Sequence, residues 1–203
     1  MEQLILELSA PPEPTLDNFV AGRNAEVVET LRAWASGQIG SGVLYLWGEP
    51  GCGRSHLLRA AMRASETRAL RVVDGVETLT GTQTEAVFHV ARDALAGTGC
   101  LLASGDLPPA SLALRADLRS RLGAGLVFRL WPLSDEEKLA ALHARAHHLG
   151  FELPSDAGTY LLRHCPRDMP ALLSTLDALD RLSVKLKRPV TLPLLRECLH
   201  AHR

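Results

Sequence analysis

The stretch GVLYLWGEPGCGRSHLL, which runs from Gly42 to Leu58, decides the fold of this chain. Its first part, Val43 to Trp47, is an apolar run of residues that favour β-strands. A glycine-rich segment, Gly48 to Ser55, follows directly, and the apolar residues after it have helical spacing. The order strand, glycine-rich loop, helix predicts a phosphate-binding loop. An ordinary strand-to-helix turn is the alternative.

The loop fits the pattern G-x-x-x-x-G-K-S/T except that Arg54 stands at the lysine position. Glycines allow successive backbone N–H groups to approach phosphate oxygens, and the helix N-terminus adds partial positive charge. Arginine supplies a fixed cation as a planar fork instead of a compact ammonium group. Within this stretch we expect nucleotide contacts from Gly48, Gly51, Cys52, Gly53, Arg54, Ser55 and His56.

Length and composition indicate one domain, or one domain with a small satellite, and an ample aliphatic core. The chain has 203 residues, of which 46% are hydrophobic, and its net charge is −1. No segment of the chain is strongly basic, so we do not expect sequence-specific DNA binding. Four cysteines without a regular framework predict reduced thiols in a cytoplasmic protein. We expect neither a membrane span nor a signal peptide.

A second acidic motif follows the phosphate-binding loop. The run Leu70 to Glu77 predicts a strand that ends near Asp74, which is typical of a Walker B element. Asp74 and Ser55 are therefore the expected ligands of a weakly bound Mg²⁺ ion. Gly75 stands where hydrolytic proteins of this type usually carry a second acid. An ordinary turn at the end of a strand is the alternative.

Other candidate nucleotide contacts flank this motif. Asp106 follows the buried-strand run Cys100 to Ser104, where a polar group faces the terminal phosphate; as an alternative it is a turn residue. Phe19 and Val20 precede a helix that begins after Asn24, a predicted N-cap, and they are candidate walls of a nucleobase pocket.

The segment LALRADLRSRL, Leu112 to Leu122, predicts a helix that carries Arg115, Arg119 and Arg121, and Gly125 to Leu130 predicts a strand. The arginines form either a solvated face or include an arginine finger that reaches a partner's nucleotide. From Ser134 onward the pattern is helical, beginning with a capping box at Ser134–Glu137. The predicted helices continue at 155–165, 168–183 and 191–200.

The N-terminus reads MEQLILEL and is followed by a proline-rich spacer. An apolar peptide on a stiff arm is suited to binding another protein's groove, and a first strand is the alternative. The residues expected to bind a partner are Gln3, Leu4, Leu6 and Leu8. We therefore predict three parts: a peptide and spacer at 1–14, an α/β domain at 15–132 and a helical domain at 133–203.

These segments together resemble the AAA+ proteins, in particular the DnaA branch and its Hda family. The resemblance covers nearly the whole chain and rests on the segments QLILEL, LDNFVAGRN, LYLWGEPGCGRSHLL, VVDGVE, SGDLPP, DLRSRLGAGL, LSDEEKLAALHARA and RDMPALLSTLDALDRLS. It implies a P-loop parallel sheet with a C-terminal helical lid. It also implies bound ADP, with ATP as the alternative, and docking of the N-terminal peptide on the sliding clamp, the beta subunit of DNA polymerase III.

The resemblance further implies that Arg121 acts in trans as an arginine finger. It would stimulate ATP hydrolysis by the initiator DnaA and so prevent re-initiation of replication, while the chain itself turns over little ATP. A homo-oligomer is compatible with this plan. The alternatives are a self-sufficient ATPase of the helicase-loader type and a clamp-binding module without nucleotide.

The sequence departs from the family pattern in three places. Only 18 residues separate Ser55 from Asp74, which predicts the loss of a strand at the sheet edge. Gly75 replaces an acid, and Pro170 stands where the lid normally carries an arginine that contacts the nucleotide, with Arg167 nearby. All three changes weaken the chain's own ATP cycle, and none of them affects Arg121.

Overall fold

A computed structural model describes residues 13–40, 42–65 and 70–200 of the chain. The described residues divide into two compact units at the boundary between Pro132 and Leu133. The predicted clamp-binding residues Gln3, Leu4, Leu6 and Leu8 lie outside the described residues. No helix in the described part of the chain is both long enough and apolar enough to cross a membrane.

A four-stranded parallel sheet forms the first unit. Its strands are β1 (Gly42–Gly48), β2 (Leu70–Val73), β3 (Cys100–Gly105) and β4 (Leu126–Leu130). Their order in the sheet is β2-β3-β1-β4, so the phosphate-loop strand β1 is central and β2 lies at an edge. In register, Leu44 of β1 faces Leu102 of β3 on one side and Leu126 of β4 on the other. The predicted parallel sheet is confirmed, and the Walker B strand is at its edge.

Helices cover both faces of this sheet. The helices of the unit are α1 (Ala25–Ala35), α2 (Arg54–Ala64), α3 (Gly81–Leu95) and α4 (Ala116–Gly123). Because side chains alternate along a strand, Leu44 and Leu46 pack with the buried residues of α1 and α2. Val43 and Tyr45 pack on the opposite face with α3 and α4. This layering places the carboxyl ends of the strands beside the start of α2.

The strand predicted to end near Asp74 ends at Val73. Gly75 then adopts the left-handed conformation (φ 73°), and a 3₁₀ turn, Val76–Thr78, follows. One predicted helix is shorter than expected. The predicted helix 112–122 begins only at Ala116. Residues 112–114 form bends, and Arg115 takes the N-cap position, where it forms ion pairs with Glu85 and Asp117 at 2.5 and 2.7 Å.

Asn24 occupies the N-cap position of α1, as predicted, but its side chain has other partners. Its side chain makes no capping hydrogen bond to α1 and is 2% exposed. Instead, its amide donates to the Trp131 carbonyl at 2.9 Å, and its oxygen accepts from the Trp131 N–H at 2.8 Å. The side chain therefore fastens the start of the unit to the residue directly after β4.

The second unit is helical. Its helices are α5 (Asp135–His148), α6 (Ser155–His164), α7 (Met169–Leu186) and α8 (Leu192–His200). The predicted capping box is confirmed: the Glu137 N–H donates to Ser134 Oγ, and the Ser134 N–H donates to the Glu137 carboxylate. Buried leucines from all four helices form the core. The predicted all-helical C-terminal bundle is therefore confirmed.

Candidate functional site

The loop between β1 and α2 has two glycines that the geometry requires. A Cβ on Gly48 would lie 2.4 Å from the Leu130 carbonyl oxygen, because the end of β4 passes directly beside the loop. Gly53 has φ +99°, and a Cβ there would lie 2.6 Å from the Phe19 ring. Only glycine fits both positions without displacing a neighbour. At Gly51, in contrast, a Cβ would meet nothing within 4 Å, so the backbone of the loop is open there.

Phe19 and His56 lie together beside the loop. Their ring centroids are 5.3 Å apart, and the His56 Nε2–H donates to the Thr15 carbonyl at 3.0 Å. Burial lowers the pKa of His56, so the ring is neutral at pH 7. The structure thus brings Phe19 to the loop, while Val20 is half-buried next to it. The role of both residues as a nucleobase wall stays a prediction.

Arg54 forms an ion pair that the sequence analysis missed. Its Nη2 lies 2.6 Å from Oδ1 of Asp106, and its side chain is 15% exposed. Its Nη1 is buried and has no hydrogen-bond partner among the described residues. A buried guanidinium N–H without a partner is unfavourable, and an anion at this position would satisfy it. Asp106, predicted as a phosphate-facing residue, is therefore the partner of the loop cation.

Ser104 is a second residue that sequence reasoning missed. It is fully buried at the end of β3, and its hydroxyl donates to Asp74 Oδ1 at 2.6 Å. The Gly75 N–H donates to the same hydroxyl at 3.1 Å. Ser104 therefore fixes the position of the Asp74 carboxylate. The signal was available, because a buried polar residue at the carboxyl end of a central strand needs a partner.

Tyr45 shows that acidic groups lie near the carboxyl ends of the strands. The side chain is fully buried, and its hydroxyl donates to the Leu107 carbonyl at 2.8 Å. Its pKa is raised, first by burial and then by the charge of Glu77, with Asp106 adding to the effect and Arg54 opposing it. Glu77 and Asp106 thus both lie near the Tyr45 hydroxyl.

The metal ligands predicted at Ser55 and Asp74 stay predictions. Ser55 is the second residue of α2, and Asp74 directly follows β2. Within the described ranges no group of three or more His, Cys, Asp or Glu side chains is arranged to hold a metal ion. Cys52 is buried in the loop, and burial raises the pKa of its thiol.

Arg121 lies on α4 in a different setting from Arg54. Its guanidinium carbon is 4.1 Å from the centroid of the Phe88 ring, and its Nη1 donates to the Asp117 carbonyl at 3.1 Å. The side chain is half-buried and forms no ion pair with any described residue. Arg115, in contrast, is committed to two carboxylates. Arg121 is thus held by an aromatic ring and forms no ion pair among the described residues. The pKa of the neighbouring Asp117 carboxyl is lowered mainly by Arg115 and to a smaller extent by the charge of Arg121.

In the helical unit, Arg167 precedes α7 and forms an ion pair with Asp135. Asp168 caps α7 by accepting from the Ala171 N–H at 2.9 Å. Pro170 is the second residue of α7, where the missing N–H costs nothing. The structure thus engages Arg167 within its own unit.

A cleft of about 640 Å³ lies between α1, α2 and the segment around Leu16. Its lining includes Asp17 and Arg32, which form an ion pair at 2.6 Å. None of the phosphate-loop residues lines it, so it is separate from the predicted site.

Solved structures of other proteins share the fold of this chain. Domain III of the replication initiation protein DnaA from Thermotoga maritima matches with a TM-score of 0.70 and 17% identity, covering 95% of this chain and 98% of that one. AMPPCP-bound DnaA from Aquifex aeolicus matches with a TM-score of 0.65 and 20% identity, over 88% of this chain and 70% of that one. A RuvB mutant from Thermotoga maritima matches with a TM-score of 0.64 and 14% identity, over 92% and 72% respectively. The fold is therefore that of an AAA+ protein.

The helical unit also matches a known family. Residues 135–199 match the family model described as "Hda, lid domain". The helical unit therefore resembles the Hda lid, and the chain as a whole shares the fold of domain III of DnaA.

Proposed function

We propose that this protein is a regulatory adaptor that binds ADP and stimulates ATP hydrolysis by DnaA, so that replication is not re-initiated. The observation that carries the proposal is the setting of Arg121. It lies on α4 against Phe88 of α3, without an ion pair in the described part of the chain. A guanidinium in this state can neutralise charge on a partner's triphosphate. The Hda lid and the DnaA-like fold support DnaA as that partner.

The chain's own site fits a nucleoside diphosphate. The unpartnered Arg54 Nη1, the open backbone at Gly51 and the N-terminus of α2 together provide donors for phosphate oxygens. Gly48, Gly51, Cys52 and Ser55 would add loop contacts, and Ser55 and Asp74 would hold any Mg²⁺. We propose ADP as the resident nucleotide, with ATP as the alternative.

Little turnover is expected at this site. In hydrolytic proteins of this type a second acid next to the Walker B aspartate helps to orient water, and here that position is Gly75. The Gly75 N–H is bound to Ser104, and Asp74 is held by the same hydroxyl. We therefore propose that the bound nucleotide stabilises the fold and that the chain is not itself an ATPase of consequence.

The stimulated step takes place on DnaA. There the Arg121 guanidinium would donate to oxygens of the phosphoryl group being transferred, where negative charge accumulates. An arginine supplied in trans to other nucleotide hydrolases accelerates hydrolysis by about 10³–10⁵. Gln3, Leu4, Leu6 and Leu8 would dock on the DNA polymerase III sliding clamp and so bring the adaptor to DnaA in the cytoplasm. Self-association is compatible with this arrangement.

The proposal is tested by measuring release of phosphate from ATP-bound DnaA with this protein, DNA-loaded clamp and ADP. Stimulation should require all three additions. Replacing Gln3 and Leu4 with alanine should remove the dependence on the clamp without lowering ADP affinity. Unchanged clamp affinity in that variant would refute the docking assignment.

The self-sufficient ATPase of the helicase-loader type is the second candidate, since Ser104 places a polar group at the end of β3 where such enzymes sense phosphate. The purified chain without DnaA distinguishes the two. Multiple turnovers of ATP per minute by the chain alone would contradict the adaptor function.

A further inference from the structure

The ion pair between Arg54 and Asp106 places a fixed negative charge at the cation of the phosphate-binding loop. The two side chains meet at 2.6 Å, with Arg54 15% exposed and Asp106 52% exposed. In this loop pattern the side chain at the position of Arg54 is the one that reaches the outer phosphates of a nucleotide. Those phosphates must therefore share the guanidinium with a carboxylate of the chain itself.

The sharing is uneven between the two nitrogens of the fork. Nη2 is occupied by Asp106, whereas Nη1 is buried without a hydrogen-bond partner in the described residues. Nη1, with its two N–H donors, is thus the terminal nitrogen left for a nucleotide. A lysine at this position would keep all three of its donors rotatable.

Further carboxylates lie on the same side of the site. Glu77 and Asp106 both act on the buried Tyr45 hydroxyl, and Asp74 is bound to Ser104 at the adjacent strand end. Among the described side chains, Arg54 is the cation that forms an ion pair with one of these carboxylates, Asp106. The local charge before any ligand binds is therefore negative, with three carboxylates and one guanidinium.

We propose that Asp106 makes this site select nucleoside diphosphates over nucleoside triphosphates. Two contributions act in the same direction: Asp106 occupies Nη2 of the cation that an outer phosphate needs, and its carboxylate repels the additional negative charge of a third phosphoryl group. The inference depends on the proposed function, in which this site holds a nucleotide.

The charge repulsion sets the expected size of the effect. One extra like charge about 6 Å away, at the effective dielectric constant of a partly exposed site, changes affinity by roughly tenfold to a hundredfold. Bound Mg²⁺ neutralises part of the phosphate charge and reduces the difference. The selectivity is therefore largest when the metal is removed.

The competing explanation is that Asp106 only anchors the first turn of α2. A purely structural residue would affect ADP and ATP binding by the same factor. A charge-selecting residue affects their ratio. The ratio of the two dissociation constants is therefore the measurement that separates the explanations.

The test is isothermal titration of the full nucleotide-free chain with ADP and with ATP, first in EDTA and then with Mg²⁺. The unmodified chain should bind ADP more tightly than ATP. Asp106→Asn, which keeps the shape and an acceptor for Arg54, should raise ATP affinity relative to ADP by at least about tenfold in EDTA. Asp106→Ala should move the ratio in the same direction, with circular dichroism to verify the fold.

Asp93→Asn is the matched control, because Asp93 also pairs with an arginine, Arg92, but lies at the end of α3. It should leave the ratio unchanged. If Asp106→Asn still binds ADP but does not alter the ratio of the dissociation constants for ADP and ATP, the inference is overturned and the proposed function is not. Failure of the unmodified chain to bind either nucleotide would overturn the inference together with the nucleotide-binding part of the proposed function.

Discussion

Arg54 and Arg121 are the two arginines on which the proposed function depends, and their surroundings in the structure differ. Arg54 is mostly buried and paired with Asp106 within its own site. Arg121 rests on an aromatic ring and forms no ion pair with a described carboxylate. A cation–π contact orients a guanidinium while leaving its hydrogen-bonding edge accessible. The difference indicates one arginine that serves the chain's own nucleotide and another that serves a partner's.

Removing Arg121 should have the largest effect. Arg121→Ala should lower the stimulated rate of hydrolysis on DnaA by about a thousandfold or more, because charge on the transferred phosphoryl group loses its trans donor. ADP affinity of the variant should not change. Arg119→Ala is the control on the same helix, since Arg119 makes only a long contact of 3.4 Å to the Ala110 carbonyl. Equal losses in the two variants would show that Arg121 has been misassigned.

Removing Arg54 should produce the complementary result. Arg54→Ala should weaken ADP binding by roughly tenfold to a hundredfold, which corresponds to the loss of one charge-assisted hydrogen bond. Equilibrium titration with ADP measures this effect. Arg92→Ala, which removes an exposed arginine from an ion pair on α3, is the control and should leave affinity unchanged. If ADP affinity survives in Arg54→Ala, the loop cation does not contact phosphate.

Changing the backbone shape of the loop should have a smaller effect than removing its charge, and the effect should be measurable as a loss of stability. Gly53→Ala would force a side chain into the left-handed region and against Phe19, at a cost of about 1–3 kcal/mol in the free energy of unfolding. Urea denaturation measures the loss. Gly81→Ala is the control, because a Cβ at the start of α3 meets nothing within 4 Å. A Gly53→Ala variant as stable as Gly81→Ala would mean that the loop and Phe19 are not packed together.

The smallest effect concerns His56 and pH. Burial lowers the pKa of His56 in the folded state, so the unfolded chain binds the proton more readily. Its contribution to stability is therefore complete above the usual histidine pKa and is lost as pH falls through that value toward the lower folded-state pKa. Between pH 7.5 and 5.5, His56→Gln should lose less stability than the unmodified chain. Parallel slopes in urea denaturation would contradict this.

The sequence predicted the elements that depend on local pattern. Residues close together in the chain predicted three features: the strand, glycine-rich loop and helix around Gly48 to Ser55, the parallel sheet, and the capping box at Ser134. The short connection after α2 also predicted a sheet that ends at β2. These features are set by spacing, glycine placement and strand composition, which one sequence contains in full.

The features that escaped prediction are contacts between distant residues. Local rules favoured Asn24 as a helix cap, but a backbone partner 107 residues away binds its side chain. The Arg54–Asp106 and Ser104–Asp74 pairs likewise join the ends of different strands and helices. Residue type marks such groups as needing partners, and only the strand order determines which partners they meet.

The contact between Asn24 and Trp131 sets a rule for protein engineering on this chain. A shortened form of the first unit that stopped before Trp131 would leave both the donor and the acceptor of a 2% exposed amide without partners. The cost of such a cut is that of a buried polar group stripped of water, about 1–3 kcal/mol for each unsatisfied group. A separately expressed α/β unit should therefore extend past the tryptophan.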